Sequence, residues 1–440
     1  MNLFELFIRP ILVVAFSLIL VACGGDYEPP WIGTKQLGVT SANTIGNSVA
    51  TDISGNVYVT GSTTGGLDGN TLAGTQDFFV TQYNSTGNKQ YTRQLGVAGA
   101  STVGNSIATD SNGNVYVAGV TSGSLDGNTL AGTKDFFVTK YDSSGVKQYT
   151  RQLGVAGKVT QGFSVAPDTN GNVYVTGTTT GGLDGNTLTG NHDFFVTKYD
   201  SNGIRQFTRQ LGVTSKATWG VSVATDASGN VYVAGWTFGG LDGNTLTGKE
   251  DVFITKYDSS GVKQYTQQLG VAGTNTSGNS VATDGSGNVY VTGSTNGGLD
   301  GNTLTGGLDL YITKYDSAGN KLYTRQLGVA GGSTVGNAVV TDDNGNVYVA
   351  GSSSGTLNTN YNISTGDNNF IIIKYNSSGE QQYIRQLGVT GTDTVGNSVA
   401  TDTSGNVFVA GATKGGLDGS TLTGTQDFFV TKFNSDGMKF

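Results

Sequence analysis

At 440 residues the chain has room for two or three ordinary domains, yet its composition narrows the field: 71 Gly, 4 Pro, 13% charged residues, a formal net charge of -8 and a single cysteine. Sparse charge with no Lys/Arg cluster excludes a nucleic-acid partner, and one cysteine excludes an intramolecular disulfide. Abundant glycine without a Gly-x-y period makes neither collagen nor a disordered tract, because aromatic and aliphatic residues return at fixed positions.

In chain order, the N-terminus carries Arg9 as its only basic side chain, then an apolar run from Ile11 to Ala22, then Cys23. The run is short of the roughly 20 apolar residues a spanning helix needs, so residues 1–22 read as a secretion signal. Leu20-Val21-Ala22-Cys23 resembles the bacterial lipobox, which implies that Cys23 is acylated and begins the mature chain. Residues 23–30 then form a short polar tether, and the expected location is the bacterial cell envelope, lipid-anchored at the outer membrane or surface.

From residue 31 to 440 one unit recurs. Aligning on Gln-Leu-Gly-Val gives starts at Gln36, Gln94, Gln152, Gln210, Gln268, Gln326 and Gln386. Inside each unit Asp-x-x-Gly-Asn returns at Asp52, Asp110, Asp168, Asp226, Asp284, Asp342 and Asp402, spaced by 58 residues five times and by 60 once. Asp opening a turn accepts backbone N–H groups just ahead, and Gly three residues on takes positive φ, so the motif predicts a tight hairpin. It lacks the bidentate Glu that a calcium EF-hand loop places at its twelfth position.

The second unit shows four strand signals: Ser106–Asp110, Val115–Val120, Asp135–Tyr141 and Val146–Leu153. Short turns join the first to the second and the third to the fourth, while a long loop separates the second from the third. Four antiparallel strands repeated seven times predict an all-β, seven-bladed β-propeller rather than an open solenoid. Ring closure is legible too. The last unit stops at Phe440, before its fourth strand is complete, and Thr34-Lys35 before Gln36-Leu37 supplies the missing tail from the other terminus.

Asp-Phe-Phe-Val-Thr-Lys-Tyr-Asp-Ser-Ser-Gly, then Gln-Leu-Gly, then Ser-Val-Ala-Thr-Asp-x-x-Gly-Asn-Val-Tyr-Val-Thr-Gly, resembles the repeats of the bacterial SBBP (seven-bladed β-propeller) family over residues 31–440. The resemblance implies a secreted or surface protein and assigns no activity. Gln-Leu-Gly-Val stands where many members carry Leu-Gly-Gly.

Catalysis on near-identical blades needs a break in the repeat that gathers an acid, a base or a nucleophile. His192, the only histidine, occupies a slot held by Gln76, Lys134 and Glu250 in other units, which reads as exposed. The glutamates form no pair suited to glycoside hydrolysis, and Arg93, Arg151, Arg209, Arg325 and Arg385 fall on the fourth strand, where solvated pairing with acids is expected. The chain is accordingly expected not to be an enzyme. The long loop carries Asp68, Asp126, Asp184, Asp242, Asp300 and Asp418, each followed nine residues later by a second acid. Such oxygen donors suit calcium, the one cofactor considered, or an Asx turn that needs none. Asn358 and Asn369 stand at these places in the sixth unit.

The sharpest departures are aromatic: Phe163 in the third unit, and Trp219, Trp236 and Phe238 in the fourth. Folding the hairpin about Ala227-Ser228 sets Trp219 opposite Trp236, at the blade end bearing the long loops. These four residues are candidates for a recognition patch or for filler between blades. The expected function is a non-catalytic, monomeric binding scaffold. Its partner is a protein or a glycan at the cell surface or in the periplasm.

Overall fold

The computed structural model describes residues 30–357 and 368–440. Cys23, the leader, residues 23–29 and Asn358 lie outside the described residues. The rest forms seven four-stranded antiparallel sheets. In blade 2 the strands are Thr102–Thr109, Val115–Thr121, Asp135–Tyr141 and Lys147–Leu153, from channel to rim. The first begins four residues earlier than its sequence signal. A bulge between Gly104 and Ser106 lets pairing run on through Gly-Asn, which alone looks like a strand break.

The repeated aspartate is structural. Asp110 Oδ1 accepts the N–H groups of Asn112 (3.0 Å) and Asn114 (2.9 Å), while Oδ2 accepts Asn114 Nδ2 (2.8 Å) and the Tyr116 hydroxyl (2.9 Å). Gly113 supplies the left-handed conformation, φ 76°. Carboxylate, amide and phenol close one network, so Tyr116 can be fully buried with its hydroxyl satisfied.

Packing lies between blades. Third-strand phenylalanines stack across successive seams: Phe78 on Phe137 (5.0 Å between centroids), Phe136 on Phe195 (4.9 Å) and Phe194 on Phe253 (5.0 Å). The five recurring fourth-strand arginines, Arg93 and its repeats, do not serve as solvated partners of acids; Arg205, at the start of its strand, does pair with one, Asp184. Arg93 lies over the Tyr91 ring at 4.7 Å and donates Nε to the Gly145 carbonyl of the next blade (3.0 Å). Arg151, Arg209, Arg325 and Arg385 repeat the clamp onto Gly203, Gly261, Gly379 and Gly437. A guanidinium suits the job because it stacks by its face and donates by its edge.

Both termini complete blade 7. Lys35–Leu37 pairs with Phe428–Val430 as its fourth strand, Lys439 bridges Phe433, and Gly33 N–H donates to the Phe440 carbonyl at 2.9 Å. Lys439 thus takes the place of Lys89 and Lys35 that of Arg93, while Gly33 falls where Tyr91 would be. Trp31 fills the gap from outside the repeat alignment. It is buried against Tyr83 (5.9 Å) and Phe408 (5.4 Å), and Lys35 lies over its ring.

Candidate functional site

Each innermost strand has one backbone edge without a sheet partner, and hydrogen bonds to neighbouring blades satisfy it. At the bulge Asn47 and Asn105 donate Nδ2 to the carbonyls of Gly104 (2.9 Å) and Gly162 (2.8 Å) one blade on, and Asn279, Asn337 and Asn397 do the same. Midway, Ser48 Oγ accepts the Ile107 N–H (3.2 Å). At the tight-turn end Thr109 Oγ1 donates to the Thr51 carbonyl (2.7 Å).

These rings run around the channel with four breaks. Phe163 and Val221 replace the bulge asparagine, Pro167 replaces the threonine and Ala338 replaces the serine. Three of the four lie in blades 3 and 4. The divergence is therefore local, and it removes amide donors from the channel lining at one arc.

The aromatic residues meet on that arc. Trp219 and Trp236 are direct cross-strand partners in blade 4, with centroids 6.0 Å apart and planes at 14°. Phe163 reaches Trp219 from blade 3 at 5.9 Å and 19°. His192 stacks on the same indole at 5.1 Å and 20°. Phe163, Trp219, Trp236 and His192 are half-buried, and Phe238 is 37% exposed. Phe238 N–H donates to the Ala217 carbonyl (3.1 Å), and the Lys216 stem lies over neighbouring Gly239. Ring pairs of this kind contribute about 0.5–1.5 kcal/mol each beyond burial. The stack both fills the blade 3–4 seam and leaves Phe238 facing solvent.

The slot of His192 is not the freely exposed place the sequence predicts. It is a seam position, where each unit makes a parallel bridge to the next blade: His192 to Ala217 and Glu250 to Asn275. Only the bridge explains why His192 meets Trp219, since the two are distant in the repeat. His192, like Trp219, is the aromatic variant of its own column in the aligned units, and for His192 that legible signal was missed.

Glu250 uses its slot differently. It is 8% exposed and accepts the Ser277 hydroxyl across the blade 4–5 seam. Burial raises its carboxyl above the usual range, the Ser277 hydrogen bond opposes this, and the charge of Asp251 adds to it. A carboxyl raised in the folded state gives stability that is whole below its unfolded value and lost as pH rises through the folded value. Glu250→Gln removes that loss. Its thermal midpoint relative to the unaltered protein should rise between about pH 4 and pH 7, and a difference flat across that range in calorimetry would contradict the assignment.

The loop aspartates are engaged within the fold. Asp68, Asp126, Asp184, Asp242, Asp300 and Asp418 adopt left-handed conformations, φ 52° to 59°. They form ion pairs with Lys89, Lys147, Arg205, Lys263, Lys321 and Lys439 respectively. The second acid of each loop has separate partners. Asp77, fully buried, accepts from Ala73 N (2.7 Å), Gly74 N (2.9 Å) and Gln94 Nε2 (3.0 Å). Gln94 Oε1 in turn accepts Leu67 N–H (2.9 Å), which gives the repeated Gln-Leu-Gly its meaning as a loop clamp. The two acids are thus not gathered at one point. Among the described residues no three His, Cys, Asp or Glu side chains are grouped as metal ligands.

Ring closure and four-stranded blades define a seven-bladed β-propeller scaffold, with one divergent seam. The model of the SBBP β-propeller repeat matches residues 32–68, 90–126, 148–184, 206–242, 264–300, 322–357 and 382–418, more than half of the chain, and the chain belongs to that family. The regulatory protein FlaEY of Caulobacter vibrioides is 30% identical over 207 residues, 42% of this chain; the chain matches about a fifth (21%) of that relative's length. Solved structures with a similar course of chain include one from the mitotic checkpoint complex, at 13% identity and TM-score 0.47, covering 98% of this chain and 99% of that one. A polysaccharide lyase described as an ulvan lyase stands at 14% identity and TM-score 0.47, covering 92% and 97%.

Proposed function

We propose that the chain is a non-catalytic, lipid-anchored scaffold of the cell envelope that binds a protein or glycan through the blade 3–4 seam of its long-loop face. The observation that carries this is the Phe163–Trp219–Trp236 stack with Phe238 exposed beside it, at positions where the other blades carry no aromatic residue. Aromatic residues at the centre of a patch are common anchors of binding energy. Catalysis finds little support: the single histidine is packed on an indole, and among the described residues no three His, Cys, Asp or Glu side chains are grouped. Anchoring rests on Leu20-Val21-Ala22-Cys23 and is tested by the loss of labelled-lipid incorporation in Cys23→Ser.

The seam is tested by Trp219→Ala and Trp236→Ala, each expected to weaken retention of a partner from envelope extract or a glycan panel by about tenfold or more. Each should also lower stability by about 1–3 kcal/mol. Loss of thermal stability with binding intact makes the aromatics filler and sinks the proposal.

A further inference from the structure

Most of the cations among the described residues are engaged by the chain's own atoms. Rim lysines pair with loop aspartates, fourth-strand arginines clamp glycine carbonyls, and third-strand lysines such as Lys198 donate across the seam to turn carbonyls (Ser259 O, 2.8 Å). Four are exposed and have no ion-pair or hydrogen-bond partner for their ammonium groups among the described residues: Lys134, Lys158, Lys216 and Lys249.

All four lie on the long-loop face, on three successive seams. Lys134 bridges Val159, the residue after Lys158, at the blade 2–3 seam. Lys216 precedes Ala217, which bridges His192 and accepts the Phe238 N–H. Lys249 N–H donates to Thr274 O (2.7 Å) at the blade 4–5 seam. The aromatic stack stands at the middle seam. At the same slots blade 1 has Thr75, Gln76 and Ala100, all neutral. Lys414, also on this face, is paired with Asp393 at 2.8 Å.

An apolar centre flanked by unneutralised cations, on a protein of net charge -8, calls for a complementary surface. We propose that the partner presents an acidic polypeptide segment with apolar side chains. Its carboxylates meet Lys134, Lys158, Lys216 and Lys249, and its apolar side chains meet Phe238 and Trp236. Trp219 already has three ring neighbours, which leaves little indole face for a sugar or base to stack upon. The net negative charge of the whole chain repels a polyanion as dense as nucleic acid. This reading rests on the blade 3–4 seam being the recognition site.

The test uses the full chain, a fluorescent Glu-Leu copolymer peptide and polygalacturonate, with anisotropy read at several salt concentrations. Expected is peptide binding that weakens with salt and falls about tenfold or more when the four lysines are reversed to glutamate. Phe238→Ala should weaken it too, with all variants melting as the parent does. Peptide binding unchanged by the lysine reversals overturns the acidic partner while leaving the seam proposal standing if Phe238→Ala still weakens it. Binding insensitive to both sets overturns both. Tighter lysine-dependent binding of polygalacturonate than of the peptide replaces the polypeptide with an acidic glycan and overturns the inference.

Discussion

Replacing Trp31 with alanine should destabilise the protein by about 3–5 kcal/mol, read as a lowered denaturant midpoint. The indole is 1% exposed, packs on Tyr83 and Phe408, and donates Nε1–H to the Gly33 carbonyl at 2.9 Å. Its loss leaves a cavity beside the one blade whose third and fourth strands are not joined by a turn of continuous chain. Elsewhere the fourth strand carries its own aromatic on an unbroken backbone, as Tyr149 does. At the closure, strand continuity rests on the Gly33–Phe440 hydrogen bond and the short Lys35–Leu37 pairing. Trp31→Ala should therefore open the ring at blade 7, and hydrogen exchange should rise first in residues 35–37 and 428–430. Uniform loss of protection in all blades would show that Trp31 is ordinary core rather than a closing wedge.

Much of this fold is legible because its determinants are local. Asp-x-x-Gly-Asn fixes a turn within five residues, and alternating Val-Tyr-Val fixes a strand, so blade number, strand order and the Trp219–Trp236 register follow from period alone. Closure follows from counting, since the strand missing after Phe440 is present at Thr34-Lys35. The roles that stay hidden are those set across seams. Arg151 meets Gly203, and His192 meets Trp219, only once blades are wound into a ring. A solvated rim arginine and a seam clamp have the same sequence pattern. Trp31 is hidden for another reason: it stands in the place of Tyr91 in space but not in alignment. The aspartates at Asp68 and its repeats read equally as cation ligands or turn residues, and only the placement of Lys89 shows what their carboxylates face.

The same logic gives the second large effect, at the glycine of Gln-Leu-Gly. Gly154 has no unusual φ that would by itself demand glycine, so alanine is excluded only by space. A Cβ there would stand 1.7 Å from Asp135 Oδ1. That carboxylate cannot step aside cheaply. It is fully buried and accepts from Ala131 N (2.7 Å), Gly132 N (2.8 Å) and Gln152 Nε2 (3.0 Å), so moving it unties the long loop from the outer strand. Gly154→Ala should cost about 3 kcal/mol or more, combining overpacking with broken hydrogen bonds. Asp135→Ala should cost about the same by leaving buried donors without an acceptor. The two losses share one origin, so they should not add. Once Asp135 is alanine, the space for the Gly154→Ala methyl is free, and the double variant should be more stable than the sum by about 1 kcal/mol or more. Additive losses in denaturant titration would mean that the glycine is required by the backbone rather than by the carboxylate pressed against it.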